Sequence, residues 1–183
     1  YGTILIIIFK LDLINNLNID EINFIYFIYF IFCLLLFNLF DQLYIGDSGA
    51  YLLGFIVGFF LIKVYQANES ISPFFIILLL WYPCFENLFS IVRKFKFKKS
   101  PVFPDTKHLH QLLFYFIKKK FLKKNIYSNN LASFLVLFYN IIIFIFAGNY
   151  ISNSKLHIFL IFLNVIIYIF LYSRLLLFKY KIK

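Results

Sequence analysis

The chain is short of charge, cysteine, methionine and glycine, and each shortage excludes something. Only eight of its 183 residues are Asp or Glu, and charged residues of both signs make up 14%, while 63% are hydrophobic and 23% aromatic. Ordinary globular chains carry about 25% charged residues. With a mean hydropathy of +0.87, this composition excludes a water-soluble domain and requires lipid as part of the solvent. Cysteine occurs twice, as Cys33 and Cys84, each within an apolar run. That excludes a disulfide framework or thiolate metal site read from spacing and leaves two ordinary core residues. Methionine is absent, and the chain opens at Tyr1 on a short apolar stub without the basic start of a signal peptide. The expectation is a fragment that lacks its beginning.

What is present is a series of apolar runs. A membrane span needs about 20 such residues. Five runs approach that length, at 22–40, 50–65, 73–92, 131–147 and 156–178, and residues 1–9 look like the tail of another. The expected fold is all-α: a polytopic transmembrane bundle of five full spans plus an N-terminal stub, forming a single membrane domain over 1–183. The run 50–65 is the shortest of the five.

Basic residues set the orientation, because cytoplasmic loops are enriched in Lys and Arg. Eleven lie in 93–124 and four in the tail, as Arg174, Lys179, Lys181 and Lys183. One inside-out assignment of the five spans puts both segments, fifteen of eighteen basic residues, on the cytoplasmic side. The same assignment puts the short loop 41–49 inside and 10–21, with Asp12, Asp20 and Glu21, outside. Loops 41–49 and 93–124 therefore face one compartment and can build one site.

Three pieces could carry chemistry. The first is Gly46-Asp47-Ser48-Gly49, directly before the run 50–65, which uses two of the chain's six glycines. Glycine permits unusual backbone conformations, Asp and Ser cap helices, and a helix N-terminus offers free N–H groups and partial positive charge to a phosphate. Asp47 by itself would repel that phosphate, so a functional arrangement needs a divalent cation between them, Mg²⁺ by its preference for carboxylate and phosphate oxygens. A plain capped helix start is the bland alternative. Gly54 and Gly58 continue as a G-x-x-x-G pair, which suggests close helix packing.

The second piece is Glu86 inside the run 73–92. Helical spacing puts Pro83, Glu86, Ser90 and Arg93 in one sector, and an ionisable residue at that depth serves either a site or a structural partner. The third is the loop 93–124, too long for a connector. Its Ser100-Pro101-Val102-Phe103-Pro104 stretch breaks any helix, Asp105-Thr106 can cap a new one, and from Lys107 to about Phe121 the apolar residues recur at helical spacing with Lys on the flanks. An interfacial amphipathic helix is expected, its lysines attracted to anionic headgroups. His108 and His110 stand at its start. They would point apart in a helix and share a side in an extended entry. Two histidines without further ligands do not make a zinc site, and beside Lys107 they suit an anionic substrate. His157, at the start of an outer span, is given no chemical role. The basic loop does not call for nucleic acid.

The order of these pieces resembles the polyprenyl-phosphate N-acetylhexosamine-1-phosphate transferases. The matching residues are Gly46, Asp47, Ser48, Gly49, Leu53 and Gly54, then Pro83, Phe85, Glu86, Ile91 and Arg93, then Ser100, Pro101, Pro104, Asp105, His108, Leu109 and His110. The resemblance covers roughly 44–113 and would make the chain the C-terminal portion of a phosphoglycosyl transferase. It implies transfer of a sugar 1-phosphate, GlcNAc-1-phosphate foremost, from a UDP-N-acetylhexosamine to polyprenyl (undecaprenyl) phosphate with release of UMP. Mg²⁺, or Mn²⁺ in its place, would be the cofactor, held by Asp47 as the catalytic residue. His108 and His110 would engage the nucleotide-sugar diphosphate, with Gly46, Ser48, Glu86, Arg93 and Asp105 as further substrate-binding residues. The implied setting is the bacterial inner membrane, with site and C-terminus cytoplasmic, in the synthesis of envelope polysaccharide or peptidoglycan lipid intermediates. A homodimer is one assembly to be considered. Gln111 stands where the family has a third histidine, Glu86 where it has aspartate, and the family's upstream paired aspartates have no counterpart. The fragment alone is expected to be inactive. The rival reading is a non-enzymatic multispan protein, a lipid or solute transporter with a basic loop.

Overall fold

The computed structural model describes residues 2–10, 21–40, 42–43, 46–96, 107–121 and 124–181. Among them the regular structure is entirely α-helical: α1 (Gly2–Lys10), α2 (Glu21–Leu39), α3 (Gly46–Ala67), α4 (Pro73–Leu79), α5 (Trp81–Lys96), α6 (Leu109–Lys120), α7 (Asn125–Gly148) and α8 (Ser154–Lys181). Three of these are long and apolar enough to cross a membrane, over Ser48–Ala67, Asn125–Gly148 and Ser154–Tyr180. α4 and α5 qualify only as a bent pair, which raises the count to four. The chain is a multi-pass, all-α membrane protein.

The expected five spans are corrected in one place. The run 73–92 is not one straight helix: it stops at Leu79, resumes at Trp81 and continues to Lys96. Pro83 supplies the reason, since it has no N–H to offer the carbonyl four residues back, and its ring crowds that carbonyl. The carbonyl belongs to Leu79, where α4 ends, and α5 takes over with Cys84 N–H bonded to Leu80 O at 3.3 Å. The run 22–40 forms the 19-residue helix α2, as expected, and its described apolar part is Ile25–Leu39. The short run 50–65 gains length because the helix begins back at Gly46 and runs to Ala67, 22 residues in all.

Packing divides the chain into two compact units, Tyr1–Leu79 with Ile141–Leu156 and Leu80–Asn140 with His157–Lys183. In the first, α1 packs on α2 and α3 on α4. Gly2 lets α1 come close, since a Cβ there would lie 3.2 Å from Ile31. Val57, Leu61, Val64, Phe75 and Leu78 are fully buried. Ser72 caps α4 through its hydroxyl, which accepts the Phe74 N–H at 3.2 Å, and Pro73 takes the first helical position, where a missing N–H costs nothing. The same Ser72 shares a 2.9 Å hydroxyl bond with Ser154 and donates its N–H to Ile151 O at 2.9 Å.

In the second unit, Trp81 donates its indole N–H to Asn140 at 2.8 Å, and Asn140 in turn donates to Val136 O. Phe85 and Phe89 of α5 meet Tyr168 of α8 edge to face, at 5.0 and 5.4 Å, and Phe89 meets Tyr172 at 4.8 Å. Such aromatic pairs add roughly 0.5–1.5 kcal/mol each beyond their buried area. The large apolar side chains left outside, Tyr51, Phe55, Phe162 and Ile166 among them, sit on span helices where lipid is the solvent. The G-x-x-x-G expectation is not met at Gly58, where a Cβ would touch nothing within 4 Å.

Candidate functional site

The polar stripe on α5 has a single target. Glu86, Ser90 and Arg93 lie on one helical face, and Glu86 and Ser90 are buried. Glu86 Oε1 accepts the Leu109 N–H at 2.9 Å and lies 3.0 Å from His108 Nδ1. Two turns further on, Arg93 donates to Lys107 O at 2.9 Å and to the Tyr172 hydroxyl at 2.6 Å, with Ser90 Oγ at 3.5 Å. Its guanidinium also lies over the Tyr172 and Phe89 rings, at 5.3 and 5.8 Å. Three consecutive residues, 107 to 109, are thus bonded by two side chains of one helix.

The sequence of α6 explains why it needs this clamp. Its N-cap is His108, extended at φ −67° and ψ 151°. Histidine caps poorly compared with Ser, Asp or Asn, and the orphan N–H of Leu109 is answered by Glu86 from outside the helix. Gln111 contributes by accepting the His108 N–H at 3.2 Å. That is a physical role for glutamine at the position where the resembled family has histidine. α6 begins two residues later than the expected Lys107, and the expected cap Asp105-Thr106 lies outside the described residues. Beyond its start the amphipathic expectation holds: Leu109, Leu112 and Ile117 are buried, and Lys118, Lys119 and Lys120 are exposed.

Because His108 is extended, the two histidines do share a side. Their rings stack at 5.6 Å with planes 14° apart. Crowding by the surrounding protein holds the His110 imidazole below the usual histidine pKa; the Glu86 charge works against this, and His108 adds to it.

Sequence reading missed the tyrosines. Glu86 Oε2 and the hydroxyls of Tyr82 and Tyr168 are buried and make no hydrogen bond among the described residues, although both hydroxyls face the carboxylate. Tyr82 was within reach of spacing, four residues before Glu86 on the same helix. Tyr168 and Tyr172 come from α8, and no local pattern points to them. Next to this group is a cavity of about 500 Å³, walled mainly by apolar groups of Trp81, Leu109, Leu113, Phe116, Leu135 and Phe178.

Among the other expected residues, Gly46, Asp47 and Ser48 belong to the first unit and open α3. Gly46 has φ +68°, the left-handed region that suits glycine, and Ser48 is exposed. The Asp47 side chain lies outside the described residues. Glu86, Arg93, His108 and His110 are brought together in the second unit, and Asp105 is outside the described residues. His157 is fully buried near the start of α8. Among the described residues no three His, Cys, Asp or Glu side chains gather where they could hold a metal ion.

A scan against protein-family models finds no match, and no solved structure matches. Over 71 residues the chain is 31% identical to the undecaprenyl-phosphate alpha-N-acetylglucosaminyl 1-phosphate transferase of Thermotoga maritima. The similar stretch takes in 39% of this chain and 23% of that protein.

Proposed function

We propose that this chain is part of a membrane phosphoglycosyl transferase that moves a sugar 1-phosphate from a UDP-N-acetylhexosamine to polyprenyl (undecaprenyl) phosphate and releases UMP. The observation that carries the reading is the pair of stacked histidines held at the start of α6 by Glu86 and Arg93. Similarity to the Thermotoga transferase and the ordered motifs support it. Both reactants are anions, so the site must offer positive groups and hydrogen-bond donors where charge accumulates.

In this reading His108 and His110 receive the donor diphosphate, and Lys107 adds charge beside them. Arg93 is occupied with Lys107 O and Tyr172, so it fixes the loop instead of touching substrate. Asp47, at the start of α3, would hold Mg²⁺ together with substrate phosphate, and the ion would offset the repulsion between the two anionic reactants. The apolar cavity beside α6 has the chemistry to receive part of a lipid chain. The site would face the cytoplasm of a bacterial cell, where the lysine-rich surface of α6 meets anionic headgroups.

The test is an assay of membranes carrying the full-length protein, supplied with labelled UDP-N-acetylglucosamine and undecaprenyl phosphate. Labelled lipid and UMP should appear together, stop on chelation, and return with Mg²⁺. Full transfer by a properly inserted Asp47→Asn variant would remove the role given to Asp47. No transfer from any UDP-N-acetylhexosamine would remove the function.

A further inference from the structure

We propose that Glu86 is a positioning residue that fixes His108 in the tautomer with its proton on Nδ1, leaving Nε2 as the ring nitrogen offered to a phosphate-bearing ligand. The inference rests on the proposed transferase reading for its ligand, and on geometry alone for the tautomer.

Glu86 Oε1 makes two contacts. It accepts the Leu109 N–H at 2.9 Å, and His108 Nδ1 lies 3.0 Å away. A bare Nδ1 lone pair at that distance would face an oxygen lone pair inside the protein, so one proton must lie between them. A carboxylate at a helix N-terminus is favoured in its ionised form by the free N–H groups and the helix dipole. The proton therefore belongs to Nδ1, and the bond is charge-assisted. There is a competitor: the Gln111 backbone N–H also points at the His108 side chain in the manner of a capping box. A ring nitrogen cannot accept that N–H and also donate to Glu86. A neutral peptide donor is the weaker of the two partners, and Gln111 is already tied in through its side chain, which accepts the His108 N–H.

The arrangement matters because histidine presents two different nitrogens, and the one that meets a ligand is set by what the other bonds. With Nδ1 committed to Glu86, Nε2 is bare in the neutral ring and donates in the protonated one. Glu86 of α5 bonds this ring and His110 stacks on it, while Arg93 holds the neighbouring Lys107 O and the Tyr172 hydroxyl, and the Lys107 ammonium lies over the Tyr180 ring at 5.3 Å. Glutamate has the reach for this task from a buried helix face, and its oxygen holds the ring and the helix start together.

In the full-length protein in lipid nanodiscs, ¹⁵N-histidine labelling resolves the His108 ring, its signals assigned by their loss in His108→Gln. At a pH well above the ordinary histidine value, the expected spectrum has a protonated Nδ1 and a bare Nε2. A wild-type ring protonated on Nε2 overturns the inference without any variant. Glu86→Gln, which keeps an oxygen acceptor, should retain the tautomer, and Glu86→Leu should release it. In the full-length enzyme, Glu86→Leu and His108→Ala should each lower kcat/KM on the order of 100-fold, and the double variant should lose no more than His108→Ala alone. Losses that simply add would make Glu86 a structural residue only and overturn the positioning role. Absence of transfer in the wild type would remove the proposed function and leave the tautomer result standing.

Discussion

Glu86 and Arg93, seven residues apart on α5, bond three consecutive residues at the start of α6, with Glu86 on His108 and Leu109 and Arg93 on Lys107. The two charges act through the same short stretch without touching each other. One answers a helix N–H from below, and the other takes the carbonyl just ahead of it. The lysine-rich amphipathic helix α6 is thereby given a fixed entry.

Arg93 should therefore govern the local stability of α6. Replacing it with Ala removes charged hydrogen bonds to Lys107 O and to the Tyr172 hydroxyl, a loss of about 1.5–3 kcal/mol. Hydrogen exchange should report it, with the Leu109 and Leu112 amides exchanging roughly tenfold to hundredfold faster. Arg93→Lys should recover little, because an ammonium cannot reproduce the guanidinium's forked geometry and stacking. Unchanged exchange would mean that the contact carries no stability.

Two glycines on α3 should respond in opposite directions. Gly46 has φ +68° and an open surrounding, so Gly46→Ala meets backbone strain alone, worth about 1–2 kcal/mol. At Gly58 an added Cβ meets nothing, and Gly58→Ala should be neutral or stabilising by up to about 1 kcal/mol through helix propensity. Thermal unfolding in detergent compares the two directly.

Asn140 holds the chain's single tryptophan. Asn140→Leu leaves the Trp81 indole N–H without its acceptor in an apolar surrounding, at a cost of about 1–3 kcal/mol. Because Trp81 is the only such residue, its fluorescence reports the change without ambiguity. A shifted emission maximum and a lower unfolding midpoint are expected together.

His110 should titrate below the ordinary histidine value, with desolvation as the leading cause. The sign follows from linkage: the unfolded chain holds the proton more tightly, so acid favours unfolding as the pH falls from about 6.5 to the lower folded midpoint. Above 6.5 the effect is absent. Glu86 raises this midpoint, so Glu86→Gln should move it still lower in an NMR titration. A movement upward would contradict the arrangement.

Much of this architecture was legible because it follows from local periodicity. The long apolar runs mark α3, α7 and α8, the spacing of Leu109, Leu112 and Ile117 marks the buried face of α6, and helical spacing alone aligns Pro83, Glu86, Ser90 and Arg93 in one stripe. The break at Leu80 was readable in principle from Pro83, four residues beyond the carbonyl it crowds. It was missed because hydropathy runs straight through it.

The amino-acid order by itself determined that the chain lives in lipid, where its helices lie, and which few polar residues stand inside apolar runs. Side-chain period and composition act within a few residues, so they survive in the sequence. Only the tertiary structure decided that Glu86 and Arg93 meet residues 107 to 109, that Tyr168 and Tyr172 arrive from α8 to complete their surroundings, and that Trp81 finds Asn140. Arg93 and Tyr172 alone are 79 residues apart, and which helix faces another is fixed by how their side chains pack, which no local pattern records.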